Sequence, residues 1–274
     1  MRLVYNGVLY SILILLLFQS GCERTVITNG LTPFEIYCDS LEKKGIIDDY
    51  KFPVLPGTEE WNELTYEQQD SILQIPVNTL ANMCTHGLLE TCLNYPLLKN
   101  CIESEYIRYW WIVFGQSFNG INEFLARDDA SEKLLNKYLE FQNFPYSDTL
   151  TDPEKYVIST QLVFLEIALS QETFLSEYSN SEQKELINKV LANLEHKLNC
   201  LDFPNDFSFP VYSGWLLGRI MLYNDYQPFI DQVQLNETLD SFINGPGWII
   251  YYFVSGANVH EIIVESSLSF LNEL

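Results

Sequence analysis

The sequence predicts an all-α protein, built as an irregular antiparallel helical array that resembles an α-α superhelix. Apolar residues recur every three or four positions through Ile75–Phe144, which is the period of amphipathic helices that pack on one another. Prolines and polar cap residues divide the chain into short segments. Because 47% of the 274 residues are hydrophobic, the chain can bury a full core. We expect one all-α domain over residues 32–274, and any sub-boundary should fall near 143–151.

The N-terminus has the pattern of an export signal. A single basic residue, Arg2, precedes the apolar run Val8–Phe18. Eleven helical residues rise about 16 Å, whereas a membrane span must cross roughly 30 Å of hydrocarbon. The run therefore predicts the hydrophobic part of a signal peptide rather than a membrane span.

The signal ends in Gln19-Ser20-Gly21-Cys22, which resembles a bacterial lipobox. In a lipobox, small residues precede a cysteine that is diacylated and becomes the new N-terminus. Gln19 stands where an aliphatic residue is usual, so plain secretion with cleavage after a small residue is the alternative. We expect residues 1–21 to be a lipoprotein signal peptide, Cys22 to carry palmitate-type acyl chains, and 22–31 to be a tether. Acyl chains would anchor the protein to a membrane of the bacterial cell envelope, inner or outer.

The formal charge of −22 restricts the partners. Such a surface repels phosphate backbones, which excludes nucleic acid as a partner. It also matches anionic lipid headgroups poorly, so the acyl group would be the contact with the membrane. A basic protein would be attracted, although the acids are equally explained as a solvated face that keeps the protein soluble.

Five cysteines remain when Cys22 is set aside, and an odd number cannot all pair within one chain. Cys84 and Cys92 are eight residues apart, or about 12 Å on one helix, which is too far for a disulfide bond. We interpret most of the five as small buried hydrophobic residues and expect at least one free, buried thiol. The five are Cys38, Cys84, Cys92, Cys101 and Cys200.

Local capping signals define the helices of the first half. Thr32-Pro33 predicts the start of a helix that reaches Ile47. Thr65 and Gln68 predict a capping box, in which each residue bonds the backbone N–H of the other. Thr85 should open a further helix with Leu88, Leu89, Cys92 and Leu93 inward, and Asn119 should be the N-cap of the next.

The apolar character of Glu105–Gln116 predicts a helix at the centre of the fold, which would enclose Trp110 and Trp111. We also expect Trp61 to be buried, since aromatic residues at helical spacing usually belong to a core. The alternative is that some aromatic residues line a groove for sugars or peptides.

The second half predicts longer helices. Asp152-Pro153 starts the longest regular one, which runs to about Ser170, and Ser179 or Ser181 caps another that ends near Cys200. Pro210 opens a helix in which Gly214 and Gly218 allow close approach of a neighbour. Asn258 caps the last helix. The run at 248–255 has strong β propensity and is predicted either as a short strand-like segment or as a buried helix.

Two partial motifs lack residues that the corresponding enzymes require. Residues Gly115–Gly120 approach the nucleophile elbow G-x-S-x-G, but Asn119 replaces the second glycine and no parallel sheet is predicted around it. A helix end, a turn and a new helix start explain the segment better. His260-Glu261 begins a zinc-protease pattern that lacks its second histidine, since Val264 stands there. His86, His196 and His260 do not predict a metal site, and no cofactor is implied.

Paired carboxylates would be sufficient for glycoside hydrolysis, but the sequence cannot select a pair among 37 acids. Asp128 and Asp129 are the first candidates, because they lie in a predicted turn near Trp110 and Trp111. Helix capping is the more ordinary role for both. No catalytic residue is therefore assigned.

One family resemblance agrees with the lipobox. Residues 60–140 resemble a group of uncharacterised lipoproteins of gut-type bacteria through Trp61, Ile75-Pro76, Thr85, Thr91–Pro96, Phe118–Gly120, Glu123–Asp128 and Tyr138. The resemblance implies an envelope location and transfers no site residue. The predicted function is binding or scaffolding at the cell envelope, with a protein or glycan partner. The alternatives are a glycan-active enzyme and an acidic inhibitor or immunity protein for a basic partner.

Overall fold

The computed structural model describes residues 32–99, 114–115, 117–141, 150–199, 209–245 and 258–274. All regular secondary structure within these ranges is helical and none of it is strand, so the all-α prediction is confirmed. The segment 248–255 and the Trp110-Trp111 pair lie outside the described residues. The chain divides into two compact units, and the division falls between Ile46 and Ile47.

The first unit contains helix α1 (Pro33–Glu42). Thr32 is its N-cap, as predicted: the Thr32 Oγ1 atom accepts from the Glu35 N–H at 3.2 Å, and the Glu35 carboxylate accepts from the Thr32 N–H at 2.5 Å. Pro33 occupies the first turn, where its missing N–H costs nothing. Leu41 is buried, whereas Tyr37, four residues earlier on the same helix, is half exposed.

The second unit contains the remaining described helices. Those of its first part are α2 (Glu59–Glu63), α3 (Tyr66–Ile72), α4 (Val77–Leu80), α5 (Thr85–Leu93), α6 (Asn119–Leu125) and α7 (Ala130–Glu140). Those of its second part are α8 (Asp152–Leu169), α9 (Glu172–Leu175), α10 (Asn180–Asn199), α11 (Phe209–Tyr223), α12 (Gln227–Leu235), α13 (Glu237–Asn244) and α14 (Val259–Leu271).

The capping signals were accurate guides to helix starts. At α3, the Thr65 N–H donates to Gln68 Oε1 at 2.8 Å and the Gln68 N–H donates to Thr65 Oγ1 at 3.3 Å, which is the predicted capping box. Ser179 and Glu182 form the same motif before α10. The prediction that the helix from Asp152 is the longest is wrong among the described helices, because α10 has 20 residues and α8 has 18.

Side-chain amides join the segment after α3 to the start of α6. Asn119 is the first residue of α6 rather than its predicted N-cap, which is Phe118. The Asn119 side chain instead accepts from the Ile75 N–H at 3.0 Å and donates to the Ile75 carbonyl at 2.8 Å. Gln74 accepts from the Asn119 N–H at 2.9 Å and donates to the Ser117 carbonyl at 2.9 Å. We call Gln74 and Asn119 the amide bracket.

Aromatic side chains fill the core beside this bracket. The Tyr95 ring stacks on Phe118 with ring centroids 4.4 Å apart, and Phe114 lies 5.3 Å from Tyr95. Phe52 meets Tyr95 edge-on at 5.9 Å. Trp61 is half-buried against the core, less than predicted. The described aromatic residues of this cluster therefore pack against one another, as expected for a helical core.

Helix α11 lies at the centre of the second part. It packs against α8, α9, α10, α12, α13 and α14. It runs antiparallel to α10, since contacts near the start of one helix fall near the end of the other: Asn224 bonds Gln183, and Ser213 bonds Lys197. A Cβ atom on Gly218 would lie 2.3 Å from Ile243 Cδ1, so the predicted close approach at this glycine is present between α11 and α13.

Candidate functional site

Four helices bring five polar side chains together inside the core. Tyr138 comes from α7, Glu166 from α8, Asn193 and Lys197 from α10, and Ser213 from α11. Lys197 is the most exposed of the five at 6%, and Glu166 and Ser213 are fully buried. We call these five residues the buried polar cluster.

These side chains point into the core because each residue lies on the apolar face of its helix. Glu166 lies inside the run Val163–Leu169, whose other members are all buried. Lys197 follows Val190 by seven residues, which is two helical turns, so it continues the buried stripe of α10. Glu166 and Lys197 therefore face the interior, where neither charge is stable without a partner.

The Glu166 carboxylate is the centre of the hydrogen-bond network. The Lys197 ammonium donates to both Glu166 oxygens at 2.8 Å and to Ser213 Oγ at 2.8 Å. Ser213 donates to Glu166 Oε1 at 2.6 Å, and the Tyr138 hydroxyl donates to the same oxygen at 3.1 Å. Asn193 Nδ2 donates to the Tyr138 oxygen at 3.1 Å, while its buried Oδ1 has no partner within the described ranges.

Burial dominates the electrostatics of the cluster. It lowers the pKa of Lys197, because the charged ammonium is removed from water, and the facing Glu166 carboxylate acts in the opposite direction. Burial raises the pKa of Tyr138 well above its ordinary value, and the charge of Glu166 adds to this effect. Tyr138 therefore stays protonated and remains a hydrogen-bond donor.

The arrangement contains one pair with catalytic potential. Ser213 Oγ lies 2.8 Å from the Lys197 ammonium. Some hydrolases pair a serine with a neutral lysine that removes the serine proton. Here the Ser213 proton is directed to Glu166, and the same carboxylate favours a charged Lys197. A nucleophile must also reach its substrate, but Ser213 is fully buried. The geometry therefore fits a structural connection between α7, α8, α10 and α11.

The buried polar cluster is not among the residues predicted from the sequence, although a signal for it was present. The apolar residues at helical spacing in α10 are Leu186, Ile187, Val190, Leu191, Leu194 and Leu198. In the structure Leu198 is 45% exposed and the neighbouring Lys197 takes the inward position. A lysine in register with a buried stripe, together with a glutamate inside another apolar run, would have indicated a buried ion pair.

The acids that the sequence singled out have other roles. Asp129 Oδ1 accepts from the Thr85 hydroxyl at 2.6 Å, which ties the start of α7 to the first turn of α5. Asp128 is exposed. Asp48 Oδ2 accepts from the Cys84 N–H at 2.8 Å at the same end of α5, where a helix dipole favours negative charge. The adjacent Gly87 leaves room for this carboxylate, because a Cβ would lie 1.9 Å from Asp48 Oδ1.

In the structure, the described residues of the partial motifs and the candidate histidines lie at helix ends or on the surface. At Gly115–Gly120 the Phe118 N–H donates to the Phe114 carbonyl at 2.9 Å before α6 begins, so the helix–turn–helix interpretation fits the described residues. Glu90, four residues after His86, forms an ion pair with Lys137. His196 is exposed on α10. Within the described ranges, no three His, Cys, Asp or Glu side chains are grouped to hold a metal ion.

The cysteines depart from the sequence interpretation. Cys38 and Cys84 are each in a disulfide bond, so they are not free hydrophobic residues. Cys92 is a free thiol at the fully buried face of α5, as expected for at least one cysteine. Burial raises the pKa of the Cys92 thiol, which keeps it protonated and unreactive. Cys22, Cys101 and Cys200 lie outside the described residues.

Charge is distributed unevenly over the surface. No Lys or Arg follows Arg219 in the sequence, whereas seven acids do. Earlier in the chain several acids form ion pairs, such as Glu123 with Arg127 and Glu172 with Arg219. Helix α12 packs against α13 and α14, so their acids share one region, where Leu235 is 83% exposed and Leu268 is 52% exposed.

The described helices include none that is both long enough and apolar enough to span a membrane. Comparison of the chain with known proteins gave no matching family model, no matching curated protein and no matching solved structure.

Proposed function

We propose that this chain is a lipid-anchored protein of the bacterial cell envelope, acylated at Cys22 and related to the envelope lipoproteins that residues 60–140 resemble. The observation that carries the proposal is the apolar run Val8–Phe18, which is followed by Gln19-Ser20-Gly21-Cys22. Two or more acyl chains make membrane attachment stable, because each buried methylene contributes about 0.8 kcal/mol.

The state of the cysteines supports an exported protein. Disulfide bonds persist in oxidising compartments such as the periplasm and the cell surface and are rare in the cytosol. Cys38 and Cys84 are both oxidised, while the free Cys92 is enclosed in the core, where it is shielded from oxidation. This division between bonded and sequestered thiols fits a chain that works outside the cytoplasm.

The helical part acts as a binding or scaffolding module in this proposal. The support for this part of the proposal is that the side chains that could be catalytic are not available to a substrate. Glu166, Lys197 and Ser213 are buried and hydrogen-bonded to one another. Asp129 is likewise occupied by Thr85. The net charge of −22 favours a basic protein as partner over nucleic acid.

Metabolic labelling with a clickable palmitate analogue tests the anchor. Wild-type protein should be labelled and should sediment with membranes, whereas Cys22→Ala should lose the label and appear in the soluble fraction. Cys92→Ala is the matched control and should keep both properties. Gln19→Leu restores the aliphatic residue usual in a lipobox and should be labelled at least as strongly as wild type. Undiminished labelling of Cys22→Ala would disprove acylation at this residue.

A separate assay tests binding against glycan hydrolysis. Purified protein is incubated with envelope polysaccharide, and released reducing ends are counted for wild type and for the double variant Asp128→Asn/Asp129→Asn. The proposal expects no release above background from either protein. Release by wild type that the double variant abolishes would replace the binding module with an enzyme.

A further inference from the structure

We draw no further inference here: the strongest candidate, the lysine- and arginine-free surface of helices α12–α14 with its exposed Leu235 and Leu268, is an acidic patch for which nothing in the described structure shows what covers it.

Discussion

The buried polar cluster and the amide bracket both join segments that are distant in sequence, but they do so with different chemistry. The cluster places the Glu166 carboxylate and the Lys197 ammonium in the core, whereas the bracket uses the neutral side chains of Gln74 and Asn119 against the backbone. Removing one partner of a buried ion pair leaves an uncompensated charge, which costs more than an unpaired amide. The two regions should therefore differ in how severely a single substitution destabilises the protein.

The largest effect should follow loss of the Lys197 charge. In Lys197→Met, the fully buried Glu166 loses its counterion, and we expect the free energy of unfolding to fall by about 3–5 kcal/mol. Denaturant unfolding measures this loss. Lys184→Met, on the more exposed side of the same helix, is the control and should change stability by no more than about 0.5 kcal/mol.

A double variant separates the charge from the packing. Glu166→Met/Lys197→Met removes both charges and keeps long side chains, so it should recover most of the stability lost in Lys197→Met. If the double variant is as unstable as the single one, the cost arises from packing rather than from the unpaired carboxylate. A loss below about 1 kcal/mol in Lys197→Met would show that the pair is not closed to water.

The amide bracket should respond less strongly. Asn119→Ala removes the two bonds to the Ile75 backbone and leaves its buried N–H and carbonyl unpaired, at a cost of about 1–3 kcal/mol. Asn136→Ala at an exposed position of α7 is the matched control and should be nearly neutral. If Asn119→Ala lowered the free energy of unfolding as much as Lys197→Met does, the expectation that a buried ion pair is more sensitive to substitution than neutral amide bonds would be wrong.

Alkaline pH should weaken the buried polar cluster. The pKa of Tyr138 is raised well above 10.0 by burial, so above pH 10 the unfolded chain loses this proton while the folded chain keeps it. The folded state then binds more protons, and stability falls as pH rises, by up to about 1.4 kcal/mol per pH unit from this group. The lowered pKa of Lys197 has the opposite effect on stability at pH values below the ordinary lysine pKa of 10.5, because there the unfolded chain holds this proton more firmly than the folded chain. Above pH 10.5 the lysine is neutral in both states, so it adds no further change of stability with pH.

The variant Tyr138→Phe isolates the tyrosine contribution. It should be less stable than wild type at pH 7, where it lacks the bond to Glu166, and the difference should narrow above pH 10. Unfolding midpoints between pH 7 and pH 11 measure this trend. Tyr66→Phe, at a tyrosine that is 85% exposed, should keep a constant difference from wild type. A constant difference for Tyr138→Phe would contradict the expected sign.

The difference between the two regions also explains what the sequence could predict. Helix starts at Thr32, Thr65 and Asp152 were predictable, because caps and prolines act through residues three or four positions away. The buried polar cluster joins residues 31 and 47 positions apart. The local pattern can indicate that Glu166 and Lys197 are buried, but it does not show that Tyr138 and Ser213 meet them. Asn119 was assigned to its own helix as a cap for the same reason, while its true partner, Ile75, lies 44 positions away.

The smallest effect should come from the exposed capping boxes of the two helices that carry Glu166 and Lys197. Hydrogen bonds from Thr151 lower the pKa of Glu154 at the start of α8, and those from Ser179 lower the pKa of Glu182 at the start of α10. A depressed pKa in the folded state contributes stability above the ordinary value of 4.5, and this contribution is lost as pH falls through the folded pKa.

Substitution of the caps compares this surface contribution with the buried one. Thr151→Ala should cost about 1 kcal/mol at pH 7, the usual value for an N-cap. Glu154→Gln should destabilise the protein less than Thr151→Ala does, since Thr151 and Glu154 are exposed and water replaces the lost hydrogen bond. The difference in stability between Glu154→Gln and wild type should shrink between pH 5 and pH 2, because the wild-type carboxylate takes up a proton in this range. Lys155→Gln, at the next and half-buried position of α8, is the control for loss of a charge. If Thr151→Ala destabilised the protein as much as Lys197→Met, the start of α8, rather than the pairing of Glu166, would determine how firmly that helix is held.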